Sequence, residues 1–278
     1  MSNESNFNPP SGARGGTKNV RGGAGEAPRP LILSIDTASA ARSLAVTRGA
    51  ETLSLHVCGQ TSADSATVLG DIDRVLGAAS VGVHEVELFA LAVGPGSFTG
   101  LRAGLATLKA FAVTLRRPVV GVPTLHAVAH AAAAPPEGSV LALMPAGRGE
   151  VFAQHLGVGG DGAIREHWPP KHLSPAELIE RARAIPGRLT WAGAGAEKFR
   201  ALIEEAARAE GVEVFEGRGA VLPVEKGGRV WAVAPDVGAL AVAIAAQAST
   251  RYRPGDDFRG DKLKALYVRP ADARIGGA

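Results

Sequence analysis

Cysteine is almost missing: Cys58 is the only one in 278 residues. No internal disulfide framework can form, which suits a reducing compartment, and the lone thiol is expected to act as a small buried hydrophobe. Aromatic residues are scarce, at 5% of the chain against 46% hydrophobic overall. The core must therefore be built from small aliphatic side chains, and the 36 glycines add to a composition that fits close-packed α/β layers. No apolar run approaches the roughly 20 residues that span a bilayer. The best stretch, Val237 to Ala248, predicts a core helix instead. The N-terminus has no apolar core of the kind a secretory signal needs, so a cytoplasmic protein with no membrane association is expected. A strong charge of one sign is also lacking, with 30 Lys and Arg against 27 Asp and Glu. Arg14, Lys18, Arg21 and Arg29, against Glu4 and Glu26, carry most of the net +3, leaving the body near neutral. A protein that grips RNA unaided would show a dense basic face, and none is apparent.

Motifs of well-known catalysts are absent as well. There is no His-Glu-x-x-His, no Gly-x-Ser-x-Gly elbow and no Gly-Lys-[Ser/Thr] of a Walker A loop. His126 and His130 lie one helical turn apart, a spacing that can hold zinc. No Glu follows His126 and no third ligand is evident, so packing or solvated histidines are expected and no metal site is assigned.

What is present centres on Leu88 to Arg116. Leu88 to Val93 reads as a buried strand, Gly94-Pro95-Gly96-Ser97-Phe98-Thr99-Gly100 as a glycine-rich turn, and Leu101 to about Arg116 as a helix. Leu101, Leu105, Leu108, Ala112 and Leu115 give that helix one apolar stripe. Ala103, Ala106, Ala110 and Val113 form a second stripe, of small residues suited to a close-packed partner. Strand, glycine turn and helix start can present backbone N–H groups to an anion. The glycine spacing is not that of a dinucleotide loop, and a tight packing turn accounts for it equally.

Residues 1–28 are rich in Gly, Asn, Ser and Pro and predict a disordered tail. Order begins with the strand Leu31–Ile35, followed by turn chemistry at Asp36-Thr37-Ala38-Ser39. Ser43–Arg48 and Thr52–Val57 complete an antiparallel meander. A helix over about 64–79 precedes the central stretch, and a short strand, Pro118–Gly121, follows it. An alanine-rich helix, Thr124–Ala134, ends at Pro135-Pro136. A similar order then recurs: strands at 140–143, 150–156 and 163–167, a capped helix opening Ser174-Pro175-Ala176-Glu177, a strand at 188–191 and a helix over 196–210. Gly193-Ala194-Gly195 reads as a turn between the last two, and Pro235 to Ser249 as a final apolar helix.

Gly-Pro-Gly-Ser-Phe-Thr-Gly-Leu-Arg-Ala-Gly at 94–104, with Lys109, resembles the signature of the bacterial TsaB (YeaZ) family. Arg148-Gly149-Glu150-Val151-Phe152 is similar to that family's second signature, with Arg148 and Glu150 kept but Pro145 and Gly147 standing where Asp and Arg are usual. Leu266-Tyr267-Val268-Arg269-Pro270-Ala271-Asp272-Ala273 resembles its closing segment. The resemblance implies an α/β protein of the actin-like ATPase (ASKHA) superfamily, with two ribonuclease H-like lobes of mixed sheets flanked by helices. The boundaries expected are a tail at 1–28, an N-terminal lobe at 29–134 and a C-terminal lobe at 135–278.

The same resemblance implies a noncatalytic dimerisation subunit for making threonylcarbamoyladenosine in tRNA. It would pair with a TsaD-like catalytic subunit, work with a TsaE-like ATPase and meet tRNA through that complex. Leu101, Arg102, Ala103, Ala106, Lys109, Ala110 and Val113 are the expected partner interface. In that superfamily an acidic residue at the end of the first strand faces Mg²⁺ and phosphate. Asp36, Thr37, Gly94, Gly96, Ser97, Thr99 and Gly100 would then stand near a phosphate or nucleotide, with an Asx-turn as the plainer account of Asp36. No catalytic residue and no cofactor are expected for the chain alone; ATP or ADP in the complex stays open. The alternatives are a stand-alone ATP-dependent kinase or peptidase-like enzyme of this fold, and a homodimer using the same helix face.

Overall fold

The computed structural model describes residues 29–58, 67–132, 138–217, 228–236 and 238–268. The tail at 1–28, the Asp64-Ser65 helix opening, the Pro135-Pro136 break and the closing segment beyond 268 lie outside these residues.

Strand β1 (Leu31–Asp36) is buried along its whole length. A strand so uniformly buried needs cover on both faces, and it has it. It lies at the centre of a five-stranded sheet, ordered β3-β2-β1-β4-β5. Strands β2 (Ser43–Arg48) and β3 (Glu51–Val57) form the antiparallel meander, while β4 (Leu88–Ala92) and β5 (Val119–Val122) run parallel to β1. On one face Leu31, Leu33 and Ile35 pack with Ile72 and Val75 of helix α1 (Val68–Ala78) and Leu108 and Ala112 of helix α2 (Phe98–Leu115). On the other face Ile32 packs with Leu125 and Val128 of helix α3 (Thr124–Ala131) and Ile244 of helix α7, described below.

The second sheet has seven strands, ordered β11-β12-β10-β6-β7-β8, with β9 beside β7. In chain order these are β6 (Gly138–Gly147), β7 (Glu150–Val158), β8 (Ile164–Glu166), β9 (Lys171–Leu173), β10 (Arg188–Ala192), β11 (Glu213–Glu216) and β12 (Val230–Val233). Helix α4 (Pro175–Arg183) starts as its sequence dictates. Ser174 N–H donates to Glu177 Oε2 at 2.9 Å, and Glu177 N–H donates back to Ser174 Oγ at 3.3 Å. The single helix expected over 196–210 is two, α5 (Ala194–Lys198) and α6 (Arg200–Ala209), broken at Phe199. Of the expected turn at 193–195, only Gly193 lies outside a helix; Ala194 and Gly195 already belong to α5. Strands β11 and β12 were not legible in the pattern.

The last helix, α7 (Ala241–Arg251), follows the second sheet in sequence but packs on the first. Ser34 Oγ of β1 donates to Ala241 O at 2.8 Å, and Ser43 Oγ of β2 accepts from Leu240 and Ala241 N–H at 3.2 Å. Helix α7 thus rejoins the first sheet after the chain has built the second.

Candidate functional site

The strand–turn–helix at 88–115 is present, and Ser97 caps α2 by accepting the Gly100 N–H at 3.2 Å. The loop after β1 lies directly against this turn. Ser97 N–H donates to Ala38 O at 2.8 Å. A side chain on Gly96 would meet Ala38 O at 2.5 Å, and one on Gly100 would overlap the Thr37 carbonyl oxygen. The far side of the turn is closed by the returning tail, where Leu266 N–H donates to Val93 O at 2.6 Å. Two N–H groups that an anion would use at this helix start, those of Ser97 and Gly100, are therefore already engaged.

Asp36 ends β1 fully buried. Its Oδ1 accepts N–H groups from Ala38 at 2.9 Å and Ser39 at 3.2 Å, an Asx-turn. Burial pushes its carboxyl above the usual range, and the hydrogen bonds at Ser39 and Ala38 oppose that shift. Its Oδ2 and the hydroxyls of Thr37 and Thr124 are buried with no hydrogen-bond partner among the described residues. Beside them Ala38, Leu101, Met144, Ala192 and Ala234, drawn from both halves, share one apolar cluster.

Helix α2 buries Leu101, Gly104, Leu108 and Ala112. Leu101, expected at a partner interface, is only 3% exposed and belongs to that apolar cluster, because its side chain points back over the glycine turn. Arg102, Ala103, Ala106, Ala110 and Val113 are exposed, Val113 at 67%, and Lys109 is half-buried. Leu69 of the neighbouring α1 is 54% exposed. The small-residue stripe is thus an outward face with nothing from the described chain over it.

The other sequence candidates lie elsewhere. Arg148 is at the tip of the β6–β7 hairpin with a left-handed φ of +49°, between Gly147 at +79° and Gly149 at +78°. Glu150 Oε2 is 3.0 Å from His172 Nε2 on β9. His126 joins three elements: its Nδ1 accepts from Arg251 at 2.7 Å, and its Nε2 lies 2.9 Å from Glu166 Oε1 of β8. His130 Nδ1 is 3.1 Å from Gln247 Nε2. One group the sequence did not disclose is His56, Cys58 and Asp71, whose ligand atoms lie within 4.8 Å of one another. Arg42 is 2.6 Å from the Asp71 carboxylate and donates to Cys58 Sγ at 3.4 Å, so a guanidinium already neutralises the buried charge there.

A family model for the TsaD tRNA N6-adenosine threonylcarbamoyltransferase matches residues 62–201, half of the chain. TsaB, a tRNA threonylcarbamoyladenosine biosynthesis protein, from Haemophilus influenzae is 32% identical over 101 residues, covering 36% of this chain and 42% of that protein. The Escherichia coli TsaB is 28% identical over 166 residues, covering 59% of this chain and 71% of that protein. The chain belongs to the TsaB (YeaZ) family. The solved YeaZ structure from Pseudomonas aeruginosa superposes with a TM-score of 0.64 at 22% identity, covering 86% of this chain and 99% of that one. That likeness gives the fold, two mixed sheets flanked by helices. In this TsaB-family chain no described helix is long and apolar enough to cross a membrane.

Proposed function

We propose that this chain is a noncatalytic subunit of the machinery that adds threonylcarbamoyl to N6 of adenosine in tRNA. It docks a TsaD-like catalytic subunit on α2 and the adjoining edge of α1, and works in the cytoplasm with a TsaE-like ATPase. The observation that carries this reading is the outward stripe Ala103, Ala106, Ala110 and Val113 of α2, with Leu69 also exposed on the neighbouring helix α1. Small residues let a second helix approach closely, and exposed apolar area of this kind marks an interaction surface. The names of its TsaB relatives, which are tRNA threonylcarbamoyladenosine biosynthesis proteins, support the pathway.

Two further points support a role without chemistry of its own. Asp36 is enclosed and turned into its own loop, and the glycine turn is closed by residues 37–38. We accordingly assign the chain no catalytic residue and no cofactor of its own.

The test is a double variant, Ala106→Arg with Ala110→Arg, run on a sizing column with the TsaD-like subunit. Loss of the joint peak, with an unchanged circular dichroism spectrum, is the expected result; an intact peak means another face is used. The same column run on the chain alone separates pairing with TsaD from self-pairing through the same stripe. ATP hydrolysis by the purified chain alone would favour the kinase-like alternative.

A further inference from the structure

The flank of α2 carries a feature that protein docking does not need. Phe98, in the first turn, is 47% exposed, and Tyr267, on the returning tail, is 52% exposed. Their ring centroids are 5.7 Å apart with the planes tilted at 47°. The Arg102 guanidinium lies over the Phe98 ring at 3.8 Å from its centroid. Two half-exposed aromatics next to each other are conspicuous in a chain with so few.

The tail brings them together. Gly260 lies against Lys109 and Ala112, Leu263 packs in the core beneath α2, and Leu266 is bonded to Val93. Residues 260–267 therefore run back along α2 towards its first turn. Asp261, Lys262, Lys264 and Tyr267 are the exposed positions of this stretch, and Tyr267 meets Phe98, whose ring Arg102 covers. Helix α2 contains no acidic residue, and the one in the returning stretch, Asp261, lies 3.9 Å from Arg259. Among the described residues, no carboxylate is ion-paired with Arg102, Lys109 or Lys264.

We propose that Phe98 and Tyr267, flanked by Arg102, Lys109 and Lys264, form a stacking platform for an unpaired base of single-stranded RNA. Aromatic faces accept any base, and unpaired cations on the same strip meet the neighbouring phosphates. An apolar protein partner would be served by the adjacent alanine stripe and would leave three cations facing it without carboxylates. The platform rests on the reading above that the chain serves tRNA modification, and it names which surface the RNA touches.

The experiment is fluorescence anisotropy of the full chain with a labelled single-stranded oligoadenylate of about 12 nucleotides, a length within reach of known single-strand sites. Tyr267→Ala is expected to weaken binding about tenfold, the lower part of the range for one lost base stack. Tyr267→Phe should bind as the parent does, and Tyr267→Leu should bind as weakly as Tyr267→Ala, because leucine keeps the apolar bulk without the π-face. Lys264→Gln should lower affinity and reduce the salt dependence by about one counterion. No binding of the oligonucleotide by the parent chain, or equal binding by the Leu variant, would overturn the platform. Pairing with the TsaD-like subunit is measured in parallel on the same variants. If Tyr267→Ala abolishes that pairing and spares RNA binding, the aromatics belong to a protein interface and the platform is wrong. If the parent chain never pairs with TsaD yet binds RNA in a Tyr267-dependent manner, the functional reading fails and the platform stands.

Discussion

At the scale of single residues, backbone approach and buried titration decide more than contact number. Gly100 faces the Thr37 carbonyl with no room for a methyl group. Gly100→Ala should therefore force the β1–β2 loop off the helix start and lower stability by about 2–3 kcal/mol, an overpacking cost. Urea unfolding followed by circular dichroism checks it. His155, on β7, is the clearest titrating position. Burial first, and the facing His167 ring second, at 4.4 Å between centroids, push its pKa down to about 4 from 6.5. The unfolded chain takes up the proton near 6.5 while the folded chain does not until about 4. Stability should hence fall as the pH drops through that window and level off below it. His155→Gln should flatten the fall, read as urea midpoints at pH 7.5, 5.5 and 4.5. Glycine at 100 could be read from the sequence as a turn residue. The oxygen it must avoid could not, since Thr37 is more than sixty positions earlier.

At the scale of elements, α2 is the informative case. Its two stripes follow from the 3.6-residue period, and both exist. The period does not say which leucine of the buried stripe lies under the helix and which reaches the apolar cluster shared by both halves, so Leu101 was placed on the wrong side of the interface. The two stripes should respond in opposite ways. Leu108→Ala, at a fully buried position, is expected to cost about 2–5 kcal/mol. Val113→Gln, at an exposed one, should change stability by less than about 0.5 kcal/mol. Thermal melts of the two variants, with partner binding measured on the second, separate the core face from the docking face. The capped α4 was legible to the residue because Ser174, Pro175 and Glu177 act within one turn. The break at Phe199 was not, because nothing in residues 196–210 punctuates the pattern as Gly or Pro would.

At the scale of the whole molecule, the closing segment ties the halves together. Helix α7 covers the face of the first sheet opposite α1 and α2, and Arg251 reaches His126 of α3, which in turn meets Glu166 of the second sheet. Deleting residues 241–278 should expose that sheet face rather than trim an appendage. The expected outcome is an insoluble or aggregated product, scored by the soluble fraction and by light scattering against the full chain. A soluble, cooperatively folded truncation would show that α7 only decorates the fold.

The sequence by itself determined the local pieces: β1, the glycine turn with its helix, the two-striped face of α2, the capped start of α4 and the absence of a disulfide framework. Each of these is set by hydrophobic period, cap chemistry or composition within a few residues. Tertiary structure alone decided that Asp36 is enclosed, that the turn is closed by residues 37–38 and Leu266, that α7 returns to the first sheet, and that Phe98 meets Tyr267. Those outcomes depend on chain segments tens to hundreds of residues apart filling the same space, and no local pattern encodes which distant backbone will arrive there.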